Sequence, residues 1–152
     1  MKIIIVEDDE NKYENIIKFL KENYSIENEL HFDSYQSAIK KIINMQSDDV
    51  NLILLDMSMS TFSITSFETG GRKRPFAGKE ILEQMKWNDV QIPVIVITAY
   101  ETFEEQDGQT YSLEELCSLM KNKYSNYIGC VYYDSSQRNW MEQLKIFMKD
   151  QL

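Results

Sequence analysis

Four acidic side chains follow directly on short apolar runs. Ile3-Ile4-Ile5-Val6 leads into Glu7-Asp8-Asp9, and Leu52-Ile53-Leu54-Leu55 leads into Asp56, while a third run, Pro93 to Ile97, leads into Thr98-Ala99. If these runs are neighbouring strands ending on one side of a sheet, several carboxylates crowd together and need a cation. Hard oxygen ligands with room for retained waters suit Mg²⁺, which proteins commonly hold through one or two carboxylates plus phosphate oxygens. Without the ion, mutual repulsion raises carboxyl pKa values. A carboxylate so placed can attack phosphorus to give an acyl phosphate, with the cation and nearby donors neutralising the transferred group. Asp56 is best placed to attack and Thr98 to donate to a phosphoryl oxygen, with the small Ala99 leaving space. The bland alternative is that Thr98 merely ends a β-branched strand and the acids are solvated or favour a helix N-terminus. Placement on three separate strand ends favours the chemical reading.

The elements that must position these residues are legible as alternating patterns. Lys2 to Val6 and Leu52 to Leu55 are too short for helices and rich in branched residues, as buried strands are. Pro93 to Thr98 is a third strand, and Glu29 to Phe32 and Tyr127 to Tyr133 complete five. Between them the period turns helical. Tyr13, Ile16, Ile17, Leu20 and Tyr24 make one face, and Tyr35, Ala38, Ile39, Ile42 and Ile43 a second. Ile81, Leu82 and Met85 mark a short third helix. A fourth opens with Ser112 and Glu115 at capping-box spacing and carries Leu113, Leu116, Cys117 and Met120. Trp140, Met141, Leu144, Phe147 and Met148 mark the last. Five strand–helix alternations predict a doubly wound parallel α/β sheet, flavodoxin-like, of strand order 2-1-3-4-5. Ligands in such a sheet gather beyond the strand carboxyl ends, at the switch point between strands one and three.

The 152 residues fit one domain and are 43% hydrophobic and 27% charged, an ordinary globular composition. A net charge of −9 argues against direct nucleic acid binding, which needs clustered Lys and Arg. No signal-peptide pattern and no apolar run near the roughly 20 residues of a bilayer span is present, so a cytoplasmic protein without membrane contact is expected. Cys117 and Cys130 have no ligand spacing and read as separate, reduced, buried thiols. His31, the single histidine, reads as a packed or half-exposed imidazole rather than a ligand. A nucleotide- or flavin-binding domain of similar architecture would need a glycine-rich loop after the first strand, and none follows Val6.

Through Met1-Lys2-Ile3-Ile4-Ile5-Val6-Glu7-Asp8-Asp9-Glu10, Leu52-Ile53-Leu54-Leu55-Asp56-Met57 and Pro93-Val94-Ile95-Val96-Ile97-Thr98-Ala99, the sequence resembles the response-regulator receiver family over nearly its whole length. Pro75, Gly78, Glu80 and Leu82 look like that family's pattern leading into helix three. The resemblance implies that Glu7 and Asp8 are the metal-side acidic pair, that Asp56 is the phosphoacceptor and that the Ser58 backbone carbonyl is a further Mg²⁺ ligand. It places Asp9 in an outer shell. It also implies a histidine kinase as donor and, since the length leaves no room for an output domain, action in trans on a protein partner or as a phosphoryl reservoir. Such a chain is a phosphoacceptor rather than an enzyme, with self-catalysed phosphorylation and dephosphorylation open to it. A homodimer is compatible with the family.

Two departures stand out. The family's lysine-proline after strand five is missing from Tyr127-Ile128-Gly129-Cys130-Val131-Tyr132-Tyr133-Asp134, where Tyr133 or alternatively Tyr132 takes the lysine position. A second reading follows from this, a phosphorylation-independent pseudo-receiver that serves as an interaction module. The other departure is length: loops are inserted at about 57–77 and about 100–111, either as two lids over the site or as tolerant solvated segments. The first carries Arg72-Lys73-Arg74, the densest basic cluster in the chain and the candidate substitute for the missing cation. The competing reading of that cluster is a solubilising loop tip.

Overall fold

The computed structural model describes residues 1–64 and 70–151. Five parallel strands, β1 (Lys2–Val6), β2 (Asn28–Phe32), β3 (Leu52–Leu55), β6 (Val94–Thr98) and β9 (Tyr127–Tyr132), form one sheet in the order β2-β1-β3-β6-β9. This is the expected 2-1-3-4-5 order. The remaining strands are two short antiparallel pairs, β4 (Met59–Ser60) with β5 (Lys73–Arg74) and β7 (Thr102–Glu104) with β8 (Thr110–Ser112). The segments expected as inserted loops therefore carry hairpin ladders of their own, which satisfy backbone groups a bare loop would leave to water. Thr65 and Ser66, which belong to the first insertion, lie outside the described residues.

Alternation along each central strand divides the core in two. Ile3, Ile5, Leu52, Leu54, Ile95 and Ile97 face the helices α1 (Glu10–Asn23) and α5 (Asn139–Lys149). Ile4, Val6, Ile53, Leu55, Val94 and Val96 face α2 (Tyr35–Ile42), α3 (Ala77–Trp87) and α4 (Leu113–Lys123). All twelve side chains are buried, each burial contributing roughly 1.5–3 kcal/mol relative to exposure, so a one-residue slip in register would be severely penalised. Register pairs Val6 with Leu55 and Leu55 with Val96, so β1 and β3 end level while β6 runs two residues further, to Thr98. Local caps agree with the sequence: Ser112 accepts a hydrogen bond from the Glu115 backbone N–H at 3.1 Å, and Asp9 one from Lys12 at 3.1 Å.

The cysteines depart from expectation. Cys117 on α4 and Cys130 on β9 are joined as a disulfide, their Cα atoms 6.2 Å apart, instead of standing as separate thiols. Helix α4 packs across β9, so a helix position and a strand position 13 residues apart face one another, a proximity that cysteine spacing alone does not reveal.

Gly78 shows how tightly α3 seats beneath the strand end. Its N–H donates to the Met57 carbonyl at 2.9 Å, and a Cβ on it would stand 2.6 Å from the Asp56 carbonyl oxygen. Backbone rather than a side-chain tip would have to give. We expect Gly78→Ala to lose about 1–3 kcal/mol of stability by urea unfolding, the usual cost of overpacking.

Candidate functional site

Continuing the alternation by one residue aims Glu7 and Asp56 at the α1 side of the sheet. There they meet Lys12, in the first turn of α1. Its Nζ lies 2.5 Å from Oε1 of Glu7, 3.2 Å from Oδ1 of Asp56 and 2.8 Å from the carbonyl oxygen of Ile97. The ammonium donates a hydrogen bond to the Ile97 carbonyl and pairs by charge with the two carboxylates. All three side chains are buried: Glu7 is 1%, Lys12 4% and Asp56 4% exposed.

Glu7, Asp8 and Asp56 each offer a carboxylate oxygen within 4.8 Å of the others, a set consistent with the divalent-metal site of a receiver. Asp8 is partly exposed, and its Oδ2 accepts the Ser60 N–H at 3.3 Å. Asp9 caps α1 and also donates its N–H to Glu7. The carboxylates open into a cavity of about 220 Å³ lined also by Asp9, Lys12, Ser58, Lys73, Ala99 and Tyr100. A wider groove of about 940 Å³ lies between α3, α4 and the two insertions, away from these carboxylates. Charge, not volume, picks out the site.

Of the other expected residues, Ser58, Ala99 and Lys73 line this cavity, whereas Thr98, Arg72, Arg74, Tyr132 and Tyr133 do not. Oδ1 of Asp56 also accepts the Met57 N–H at 2.8 Å, whereas no hydrogen bond from the described residues reaches Oδ2. Thr98 is buried and its hydroxyl accepts the Tyr100 N–H at 3.2 Å, one residue behind the cavity-lining Ala99. Of Arg72, Lys73 and Arg74, Lys73 alone reaches the cavity, its ammonium 3.9 Å from Oδ2 of Asp8 and 5.9 Å from the Tyr100 ring centroid. Arg72 turns to Gln106 of the other insertion. Arg74 bonds Glu80 at 3.0 Å and stacks 4.2 Å from the Tyr35 ring centroid. Tyr132 is exposed; Tyr133 is buried against Trp140, its hydroxyl accepting from Asn15 at 2.8 Å and its ring centroid 5.7 Å from Lys12 Nζ. His31 is half-buried, stacked on Tyr13 with Nε2 2.8 Å from the Glu7 carbonyl oxygen, and this packing role matches its sequence reading.

Sequence reasoning missed Lys12. The signal was present: Lys12 stands four residues before Ile16 and eight before Leu20, on the core stripe of an amphipathic helix directly after the acidic run.

Burial pushes the Glu7 carboxyl from its ordinary value near 4.5 up to about 9; the neighbouring Asp56 charge adds to this and the Lys12 ammonium opposes it. Burial works to lower the Lys12 pKa, but Asp56 and Glu7 outweigh it and the net shift is upward. Two carboxylates share one ammonium, so the last negative charge is the costly one.

No protein-family model matches the chain. It is 26% identical over 149 residues to the Detocs response regulatory protein DtcB of Enterobacter cloacae (strain JD6301), covering 95% of each chain. Among solved structures it resembles a CheY-like response regulator receiver domain protein from Methanospirillum hungatei JF-1, with a TM-score of 0.54, 21% identity and 99% and 94% of the two chains covered. It also resembles the Mn²⁺-bound response regulator Rcp1, with a TM-score of 0.61, 19% identity and 97% and 91% covered. A third is RcsB from Salmonella enterica serovar Typhimurium bound to promoter rprA with the phosphomimetic BeF₃⁻, with a TM-score of 0.60, 16% identity and 97% and 98% covered.

The raised Glu7 pKa makes metal-free stability depend on pH. Between about 4.5 and 9 the folded state holds a proton that the unfolded state has released, so stability falls as pH rises through that window. Urea unfolding across this range should show the decline in wild type and a flatter profile in Glu7→Gln. The strand order and the acidic cluster at the switch point, together with these likenesses, give the chain the five-stranded α/β fold of CheY-like receiver domains.

Proposed function

We propose that the chain is a phosphoacceptor switch of two-component signalling, in which Asp56 receives a phosphoryl group from a histidine kinase and the protein then acts in trans on a partner or holds the group as a reservoir. The observation that carries this reading is the convergence of Glu7, Asp8 and Asp56 on one small cavity at the sheet's carboxyl edge. Three carboxylate oxygens so close, one on a residue that resists ionisation, are a donor set a hard divalent cation fits. Glu7, Asp8, Asp56 and the Ser58 carbonyl would hold Mg²⁺, which would supply positive charge beside the transferred phosphoryl group. The Mn²⁺ bound by Rcp1 and the BeF₃⁻ present with RcsB support the metal and the acceptor, and the likeness to DtcB supports a response-regulatory role.

In the transfer, Asp56 attacks phosphorus, a P–Oδ bond forms, the bond from phosphorus to the donor nitrogen breaks, and the imidazole leaves with its electron pair and takes up a proton. Oδ2 is the nucleophile this geometry favours, since Oδ1 is already held by Met57 and Lys12. Ala99 borders the space the phosphoryl group would enter, and the Thr98 hydroxyl lies just behind it, bonded by the Tyr100 N–H. The ground for the alternative of a silent interaction module was the missing cation, and a buried ammonium 3.2 Å from Asp56 weakens it. Among the described residues no helix is long and apolar enough to cross a membrane.

With a small acyl-phosphate donor and Mg²⁺, intact-mass measurement should show gain of one phosphoryl group, labile to hydroxylamine and abolished in Asp56→Asn. A wild-type chain that gains nothing sinks the proposal.

A further inference from the structure

We propose that Lys12, a residue of helix α1, is the cation that holds the acceptor carboxylate and then the transferred phosphoryl group, in place of the lysine that the last strand lacks. The inference rests on the phosphoacceptor reading of Asp56 and assigns its missing partner.

The geometry is specific. Lys12 Nζ is the cationic atom that touches Asp56 among the described residues, while Lys73 stops at Asp8 and Arg74 is engaged with Glu80. Its contacts come from three neighbouring strands: ion pairs with Glu7 after β1 and Asp56 after β3, and a hydrogen bond to the carbonyl of Ile97 in β6. The side chain is poorly suited to a purely structural role. A cation in the first turn of a helix opposes the helix dipole, and burying it forfeits its hydration. An apolar side chain would extend the stripe of Ile16 and Leu20 without either cost. What lysine alone brings is a charge at the acceptor.

That charge is needed more after transfer than before. When P–Oδ2 forms and the donor's bond to phosphorus breaks, Asp56 ceases to be an anion and negative charge moves onto the phosphoryl oxygens. Lys12 keeps its proton throughout, and the ammonium can follow the charge from Oδ1 to a phosphoryl oxygen on its flexible stem. Tyr133, at the strand position without lysine, lies beside that stem with its ring face toward Nζ at 5.7 Å, and Asn15 on the next turn of α1 anchors its hydroxyl. The aromatic thus walls the site where the family's strand-borne lysine would stand.

The test compares wild type with Lys12→Met at fixed Mg²⁺ and ionic strength, following acyl phosphate on Asp56 by intact mass and Mg²⁺ affinity by titration. Acyl phosphate should form about 100-fold more slowly in Lys12→Met, the lower range for loss of one charge-stabilising donor. Mg²⁺ affinity should hold or rise, because a competing positive charge has gone. An unslowed variant overturns the inference, and so does a loss of rate matched by an equal loss of Mg²⁺ affinity, which marks a structural role. Should the variant not fold, wild type gives a second readout: the Lys12 Nζ resonance by NMR should move when beryllofluoride and Mg²⁺ are added, and an unmoved resonance overturns the assignment. Wild type that forms no acyl phosphate overturns the phosphoacceptor reading and this inference together. Wild type that forms it alongside an unslowed Lys12→Met overturns this inference alone.

Discussion

Two buried carboxylates of like charge cannot share one end of a sheet without a cation, and the site is arranged around that constraint. Glu7 and Asp56 are almost wholly removed from water and converge on one ammonium. Leaving such a group unpaired costs several kcal/mol, so the sheet edge tolerates the carboxylates only because Lys12 reaches them. The compensation is incomplete by one charge. Burial, with the Asp56 charge adding to it, raises the Glu7 pKa despite Lys12, and the three carboxylates stand in an arrangement consistent with a divalent-metal site.

The sheet delivers that arrangement through register. Because β1 and β3 are parallel and end level, with β6 running two residues further beside them, the residues at their ends come together, and strand parity decides which face each takes. Glu7 and Asp56 fall on the α1 side, where Lys12 can meet them; Thr98 falls on the other parity, with Val94 and Val96. Helix α3 closes the floor through Gly78, which lacks the Cβ that would displace the Asp56 backbone. The two insertions add short hairpins at the same edge and bring Lys73 and Tyr100 to the cavity mouth.

The chain also resolves its unusual last strand by packing. Tyr133 turns inward to Trp140 and Asn15, joining β9 to α1 and α5, while on the opposite face Cys130 bonds Cys117 and ties β9 to α4. The strand is thus fastened on both faces, and the ammonium that meets Asp56 comes from helix α1.

The positions of the strands to within a residue, most helix faces, sheet order and the meeting of Glu7, Asp8 and Asp56 could be read from the sequence, because periods of two and near four residues and the placement of acids after apolar runs are properties of the linear chain. Lys2–Val6 and Leu52–Leu55 are bounded in the structure as in the sequence, and Ser112 caps its helix as its spacing implies. The cationic partner of Asp56 could not be read in the same way. The basic cluster at Arg72 to Arg74 drew attention because it is dense, yet density along the chain says nothing of reach: only Lys73 approaches, and it stops at Asp8. Lys12 and the Cys117–Cys130 pair were decided by tertiary structure, since each depends on how a helix lies across strand ends distant in sequence. A side chain's period assigns it to a face, but only the crossing of that helix over the sheet determines which atoms it meets there.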